Sequence, residues 1–193
     1  MVRSRMHPVM LLLTACIVAL TPSACMVDQS GFELIQRYPI DMGYGLHIQD
    51  VYLYATTNDG IELFEMNFDG RLTHLQSIEI GSSSFAVVAR GNIVYVGGEG
   101  GLTVVETPSA STSRILGKHD TGGSIYSLSL LDSLLYMTDY HKGLNIADIS
   151  DPANPVMIGH LQLRPGSWDH EIVGVTIDIA SQTITTVLPG MSC

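Results

Sequence analysis

Residues 136–159, from Tyr136 to Gly159, read YMTDYHKGLNIADISDPANPVMIG. Tyr136 closes a short apolar run, and a polar turn follows that ends at Gly143. Leu144 to Ile149 then alternates apolar and polar residues, the period-two pattern of a strand. A corner of Ser150, Asp151, Pro152, Asn154 and Pro155 leads into a third apolar run, Val156 to Ile158. The same order of features occurs twice upstream. Tyr54, Tyr95 and Tyr136 are 41 and 41 residues apart, Gly60, Gly101 and Gly143 are 41 and 42 apart, and Glu65, Glu106 and Asp148 are 41 and 42 apart. A period of about 40–45 residues with four short strands per unit is that of a β-propeller blade. The predicted fold class is all-β: four-stranded antiparallel blades, about four of them, fanned about an axis.

Working outward, the first unit spans about residues 44–80, with strands at Tyr44–Gln49, Val51–Thr57, Ile61–Asn67 and Leu72–Ile80. Its turns, Asn58-Asp59-Gly60 and Phe68-Asp69-Gly70, carry the residues that tolerate positive φ. The second unit, 83–121, offers Ser84–Ala89, Ile93–Val96, Leu102–Glu106 and Ile115–Leu116. The third, 124–163, offers Ile125–Leu131, Leu134–Thr138, Leu144–Ile149 and Val156–Leu163. A partial unit, 172–188, adds Ile172–Ile179 and Thr183–Leu188. One apolar run, Glu33–Ile40, stands before the first unit and corresponds by position to the last strand of a repeat.

Fifteen strands leave two readings. Glu33–Ile40 pairs with Thr183–Leu188 and closes a small four-bladed ring, or the chain is an incomplete, truncated propeller with uncovered blade faces. Uncovered faces and open edges invite self-association. Within a blade, Leu144, Ile146 and Asp148 face one way, and Asn145, Ala147 and Ile149 the other. The recurrent acids Glu65, Glu106 and Asp148 read as caps for the corners that follow them.

The N-terminus has a different composition. Arg3 and Arg5 precede a twelve-residue apolar core, Val9 to Leu20, and Thr21, Pro22, Ser23 and Ala24 follow. That layout is a secretory signal. It sets the domains as 1–24 signal peptide, 25–32 short tether, and 33–193 propeller repeats. Cys25 is the favoured lipid attachment point, with Cys16 or cleavage at Ala24 as alternatives, and acylation with more than one chain anchors a protein stably to a membrane. The expected location is exported, lipid-anchored at a membrane or secreted. Cys193 would then have no disulfide partner.

Nine Lys plus Arg face nineteen Asp plus Glu, a net charge of −10, with no basic cluster. Nucleic acid is disfavoured as a partner. No run outside the leader is long enough for a spanning helix.

At residues 143–159, GLNIADISDPANPVMIG, the chain resembles the LVIVD repeat family. Gly143, Leu144, Ile146, Asp148, Ser150, Asp151, Pro152 and Pro155 fall on its pattern. The first two units keep the tyrosine, glycine, aliphatic and acid but lose the Asp-Pro-x-x-Pro corner. The resemblance implies a β-propeller in a secreted or surface-anchored setting and carries no common activity or catalytic residues.

Polar clusters add little chemistry. Trp168-Asp169-His170-Glu171 is the densest, and it reads as a ligand-facing loop rather than a metal site, because neighbouring residues on a strand point apart. His74 and His160 sit in matching Thr-His-Leu-Gln and Gly-His-Leu-Gln strings, with Lys118 between, which reads as repeat ancestry. Asp139-Tyr140-His141-Lys142 reads as a solvated hairpin tip. Residues 97–101 are glycine-rich but lack the Lys-Ser/Thr and helix of a phosphate loop. No catalytic residue, cofactor or metal is expected. The expected function is a non-catalytic propeller module that binds protein or glycan through its loops. The alternatives are a propeller-type hydrolase or lyase using Asp139, His141, Asp169, His170 or Glu171, and a fragment of a larger surface protein.

Overall fold

The structure is a computed structural model that describes residues 36–41, 43–139, 142–162, 174–178 and 183–187. Blade A comprises β1 (Leu46–Gln49), β2 (Tyr52–Thr56), β3 (Gly60–Met66) and β4 (Leu72–Glu79). Blade B comprises β5 (Ser84–Arg90), β6 (Ile93–Gly98), β7 (Gly101–Ser109) and β8 (Thr112–His119). Blade C comprises β9 (Ile125–Leu131), β10 (Leu134–Asp139), β11 (Gly143–Asp148) and β12 (Val156–Leu161). Each is a four-stranded antiparallel meander in chain order, and β13 (Gly174–Asp178) pairs with β14 (Thr183–Val187) in a further hairpin. No helix occurs among the described residues. The fold is all-β, a fan of propeller blades.

Adjacent blades are joined face to face by apolar side chains. Tyr54, Ile61 and Leu63 of blade A pack with Val87, Val94, Val96 and Val105 of blade B. Tyr95, Leu102 and Val104 of blade B pack with Leu135, Met137 and Ala147 of blade C. Tyr54 and Tyr95 thus point toward the following blade. The turn glycines serve close packing: a Cβ at Gly60 would run into the Ile78 carbonyl, and one at Gly101 into the His119 carbonyl. As alternation within Leu144–Ile149 foretold, Leu144 and Ile146 lie on one face of blade C, and Ala147 and Ile149 on the other.

The fan does not close. Blade A meets blade B through β1 and β2 against β5, and β13 packs on β9 and β10 of blade C. β14 pairs with β13. Of the two readings, ring closure by Glu33–Ile40 on Thr183–Leu188 is not seen among the described residues, and the open array is. Residues 36–40 are not a strand and lie instead across the outward face of blade A, where Tyr38 and Ile40 pack on Leu53, Ala55 and Phe64. The alternation of that run was real, but its apolar side met a sheet face rather than a ladder. Residues 33–35 lie outside the described residues.

Two strands are longer than their apolar runs suggest. β7 continues through Pro108, and β8 takes in Thr112 to Arg114, because cross-strand pairing carries polar residues along with it. The acid caps are uneven. Asp148 accepts from the Ser150 backbone N–H at 2.8 Å and from the Ser150 hydroxyl at 2.6 Å, which holds its pKa below the usual carboxylate value. Glu106 instead binds Arg114 Nε at 2.5 Å and Asn92 at 3.2 Å, and Glu65 lies exposed. The cap reading holds only where the corner carries the serine.

Candidate functional site

The site is built from hairpin turns. Asp50, Gly91 and Asp132 have φ of 56°, 59° and 49°, the same left-handed step at the first turn of each blade. Glycine and aspartate accept that conformation. Just before the turns of blades A and B, a side chain reaches the next blade: Gln49 Nε2 donates to the Gly91 carbonyl at 3.0 Å, and Arg90 Nη1 donates to the Asp132 carbonyl. The equivalent position on blade C is Leu131, which has no donor.

Beneath the turns of blades A and B lies a cleft of about 310 Å³, lined among others by Gln49, Asp50, Tyr52, Asn92, Thr107 and Ser109. Tyr54 forms its floor; burial raises its phenol pKa, and its hydroxyl bonds to Thr107. Tyr52 is half-buried at the wall. The Gln49 Oε1 atom is buried with no hydrogen-bond partner among the described residues. An amide oxygen pinned by the bond of its own nitrogen to Gly91 is a fixed acceptor, beside an aromatic wall and a polar rim. That oxygen is itself covered, so the surface the cleft presents is Tyr52 with the polar groups of its rim, and no nucleophile paired with a base lies among the lining residues.

A second cleft, about 340 Å³, lies at the other end of blade A and includes Asp41, Asp59, Glu62 and Glu79. Glu62 is already engaged by His74 Nε2 at 2.5 Å and Ser77 Oγ at 2.7 Å. No group of three or more His, Cys, Asp or Glu suited to a metal occurs among the described residues.

Several sequence candidates resolve differently. Trp168, Asp169, His170 and Glu171 lie outside the described residues, as do Cys16, Cys25, Cys193, Tyr140 and His141. Asp139 is not at a solvated tip: it is 0% exposed, and its Oδ1 accepts the Lys142 backbone N–H at 3.1 Å. It stands at the repeat position of Thr57, whose hydroxyl accepts the Gly60 N–H at 3.0 Å, so both hold the base of a hairpin. The match of His74 with His160 also fails. Glu62 pairs with Ser77, Thr103 with Lys118 and Asn145 with His160, so His160 is equivalent to Ser77. His74 is equivalent to Ile115 and Met157, each paired just after a bulge that recurs in all three blades, so the two histidine strings lie three residues out of register. Gln49 and Tyr52 were missed because each reads as ordinary strand; the signal was the 41-residue recurrence of the turn beside them.

Residues 81–117 and 122–162 match the LVIVD repeat, and these stretches are blades B and C. The chain carries LVIVD repeats. Among curated proteins, none matches the chain. Of solved structures, the computationally designed Ika4 protein is similar with a TM-score of 0.55 at 14% identity, over 78% of this chain and 92% of that one. A structural genomics protein of unknown function from Bacteroides thetaiotaomicron VPI-5482 matches with a TM-score of 0.55 at 15% identity, over 76% of this chain and 38% of its own length. The designed Ika8 protein matches with a TM-score of 0.50 at 17% identity, over 70% and 40%. The LVIVD chain thus spans about two-fifths of each of these two longer chains. At such identities the likeness concerns fold alone.

Proposed function

We propose that this LVIVD-repeat chain is a non-catalytic recognition module that binds a neutral glycan in the cleft between blades A and B. The observation that carries this reading is the half-buried Tyr52 at the wall of the cleft, its neighbour Gln49 pinned to Gly91, with Asp50, Asn92 and Ser109 around them. An aromatic side chain offers an apolar body with a polar end, and a few placed polar groups in a largely apolar cleft set orientation. Loops on a rigid sheet scaffold are the usual place for such recognition. A net charge of −10 favours uncharged sugars over acidic ones.

Titration calorimetry of the full chain against a panel of neutral oligosaccharides tests this. Tyr52→Ala and Gln49→Ala are expected to lower affinity at least tenfold while leaving the thermal midpoint within a few degrees of the parent. Binding unchanged by both substitutions, or absent across the panel, overturns the glycan reading.

The module is proposed to be exported and held at a membrane through Cys25. Labelling of cells with a clickable palmitate analogue should mark the parent chain and spare Cys25→Ala. Label retained in Cys25→Ala and lost in Cys16→Ala would move the anchor.

A further inference from the structure

Every blade has a face that meets the blade before it, and equivalent residues occupy that face: Leu53, Val94 and Leu135; Ala55, Val96 and Met137; Phe64, Val105 and Ala147. On blades B and C a preceding blade covers it, bringing Tyr54 or Tyr95 into the seam. Blade A has no blade in front of it among the described residues, yet Leu53, Ala55 and Phe64 are 4%, 0% and 0% exposed.

The cover is the strap of residues 36–41. The Tyr38 ring meets Phe64 edge-on at 4.7 Å and stacks on His74 at 5.5 Å. Ile40 packs on the same cluster. The Gln36 amide clamps the open edge of β4, accepting from the Leu72 N–H at 2.8 Å and donating to the Leu72 carbonyl at 2.9 Å. Arg37, Pro39 and Asp41 face solvent. Tyr38 therefore stands where the tyrosine of a preceding blade would stand. Six residues supply less bulk than a sheet, and Phe64 fills the difference where Val105 and Ala147 suffice behind a whole blade.

We propose that residues 36–41 are a surrogate blade, an intramolecular cap that closes the leading face against the same face of a second copy of this chain. The occupant follows from what a second copy leaves free: the trailing faces of blades A, B and C are covered by blade B, blade C and β13, so the apolar blade face that strap release frees on a second copy is this same leading face, and two such faces meet about a two-fold axis. A polar outer side is what a terminal unit in a repeat array needs to stay soluble. The strap is held by one side-chain clamp and two packed side chains, without a backbone ladder. Its release leaves every strand pairing of blade A intact, which places it among the elements that open locally.

The test is the mass of the full chain by light scattering across a hundredfold range of concentration. The parent and Tyr38→Phe, which keeps the ring, are expected to remain monomeric, while Tyr38→Ala and Gln36→Ala/Tyr38→Ala approach twice the monomer mass with an unchanged far-ultraviolet β spectrum. Adding Leu72→Lys, which puts a charge at the margin of the uncovered face, should return the double variant to monomer. A double variant that stays monomeric, or one that associates equally with Leu72→Lys present, overturns the proposal. Should the double variant not fold, Tyr38→Ala alone decides on the same two criteria.

Discussion

The outer strands of blades A and C handle the same liability in opposite ways. β4 reads LTHLQSIE, mixes polar and apolar residues, and has its edge closed at Leu72 by Gln36. β12 reads VMIGHL; Val156, Met157, Ile158 and Leu161 are 59%, 49%, 57% and 57% exposed, and no charged residue interrupts them. An apolar outer strand is a template for pairing with other chains, and polar or covered edges prevent it. The difference teaches that the pairing pattern of a blade is repeated faithfully while the protection of its margin is local, contributed by residues outside the repeat.

The sharpest way to break this comparison is to remove the side chain that makes blade A depend on its strap. Phe64→Ala should cost about 3–5 kcal/mol, the range for truncating a buried aromatic, measured by urea unfolding. Val105→Ala, at the equivalent place behind a whole blade, should cost clearly less; equal losses would mean that the strap and a blade cover their faces alike. Breaking the clamp is gentler. Gln36→Ala should cost about 0.5–1.5 kcal/mol, the net worth of a hydrogen bond, and should raise hydrogen exchange at residues 36–41 more than within β2.

Acid distinguishes the two seams. His47, on β1, has its pKa lowered from 6.5 by burial, partly opposed by a hydrogen bond to the Ala89 backbone. The unfolded chain then binds more protons than the folded one below about pH 6.5, so stability falls as pH drops through that value toward the folded pKa. The equivalent positions, Val88 and Ser129, do not titrate. The thermal midpoint should decline between pH 7.5 and 5.5 in the parent and decline less in His47→Gln. Asp148 acts in a separate, lower window: its depressed pKa gives stability present above 3.8 and lost as pH falls through the folded value.

The smallest effect is expected on β12. Ile158→Lys should change stability by no more than about 0.5 kcal/mol, as exposed substitutions do, while slowing aggregation followed by turbidity. A large loss of stability would show that β12 is not a free margin.

The blades were legible because their signal is periodic. Tyr54, Tyr95 and Tyr136 recur at one spacing, and the runs between them alternate, so the strands of blades A to C were placed within a few residues. Gln36, Tyr38 and Ile40 alternate just as well, but alternation states which side is apolar and not whether a ladder or a sheet face will cover it. His74 misled because a local string was matched in place of the repeat interval, which sets His74 equivalent to Ile115 and Met157, and His160 equivalent to Ser77. The cleft was invisible in sequence because Gln49 and Tyr52 become neighbours of Asn92 and Thr107 only when two blades stack.

By itself the sequence determined the kind of sheet, the number of strands in a blade and the interval at which its tyrosine recurs. These depend on side-chain period and on turn residues a few positions apart. Only the tertiary structure decided that the fan stays open, that residues 36–41 cover its leading face, and that a cleft forms between blades A and B. Those outcomes depend on which apolar surface reaches which other first, and such contacts join residues far apart in the chain.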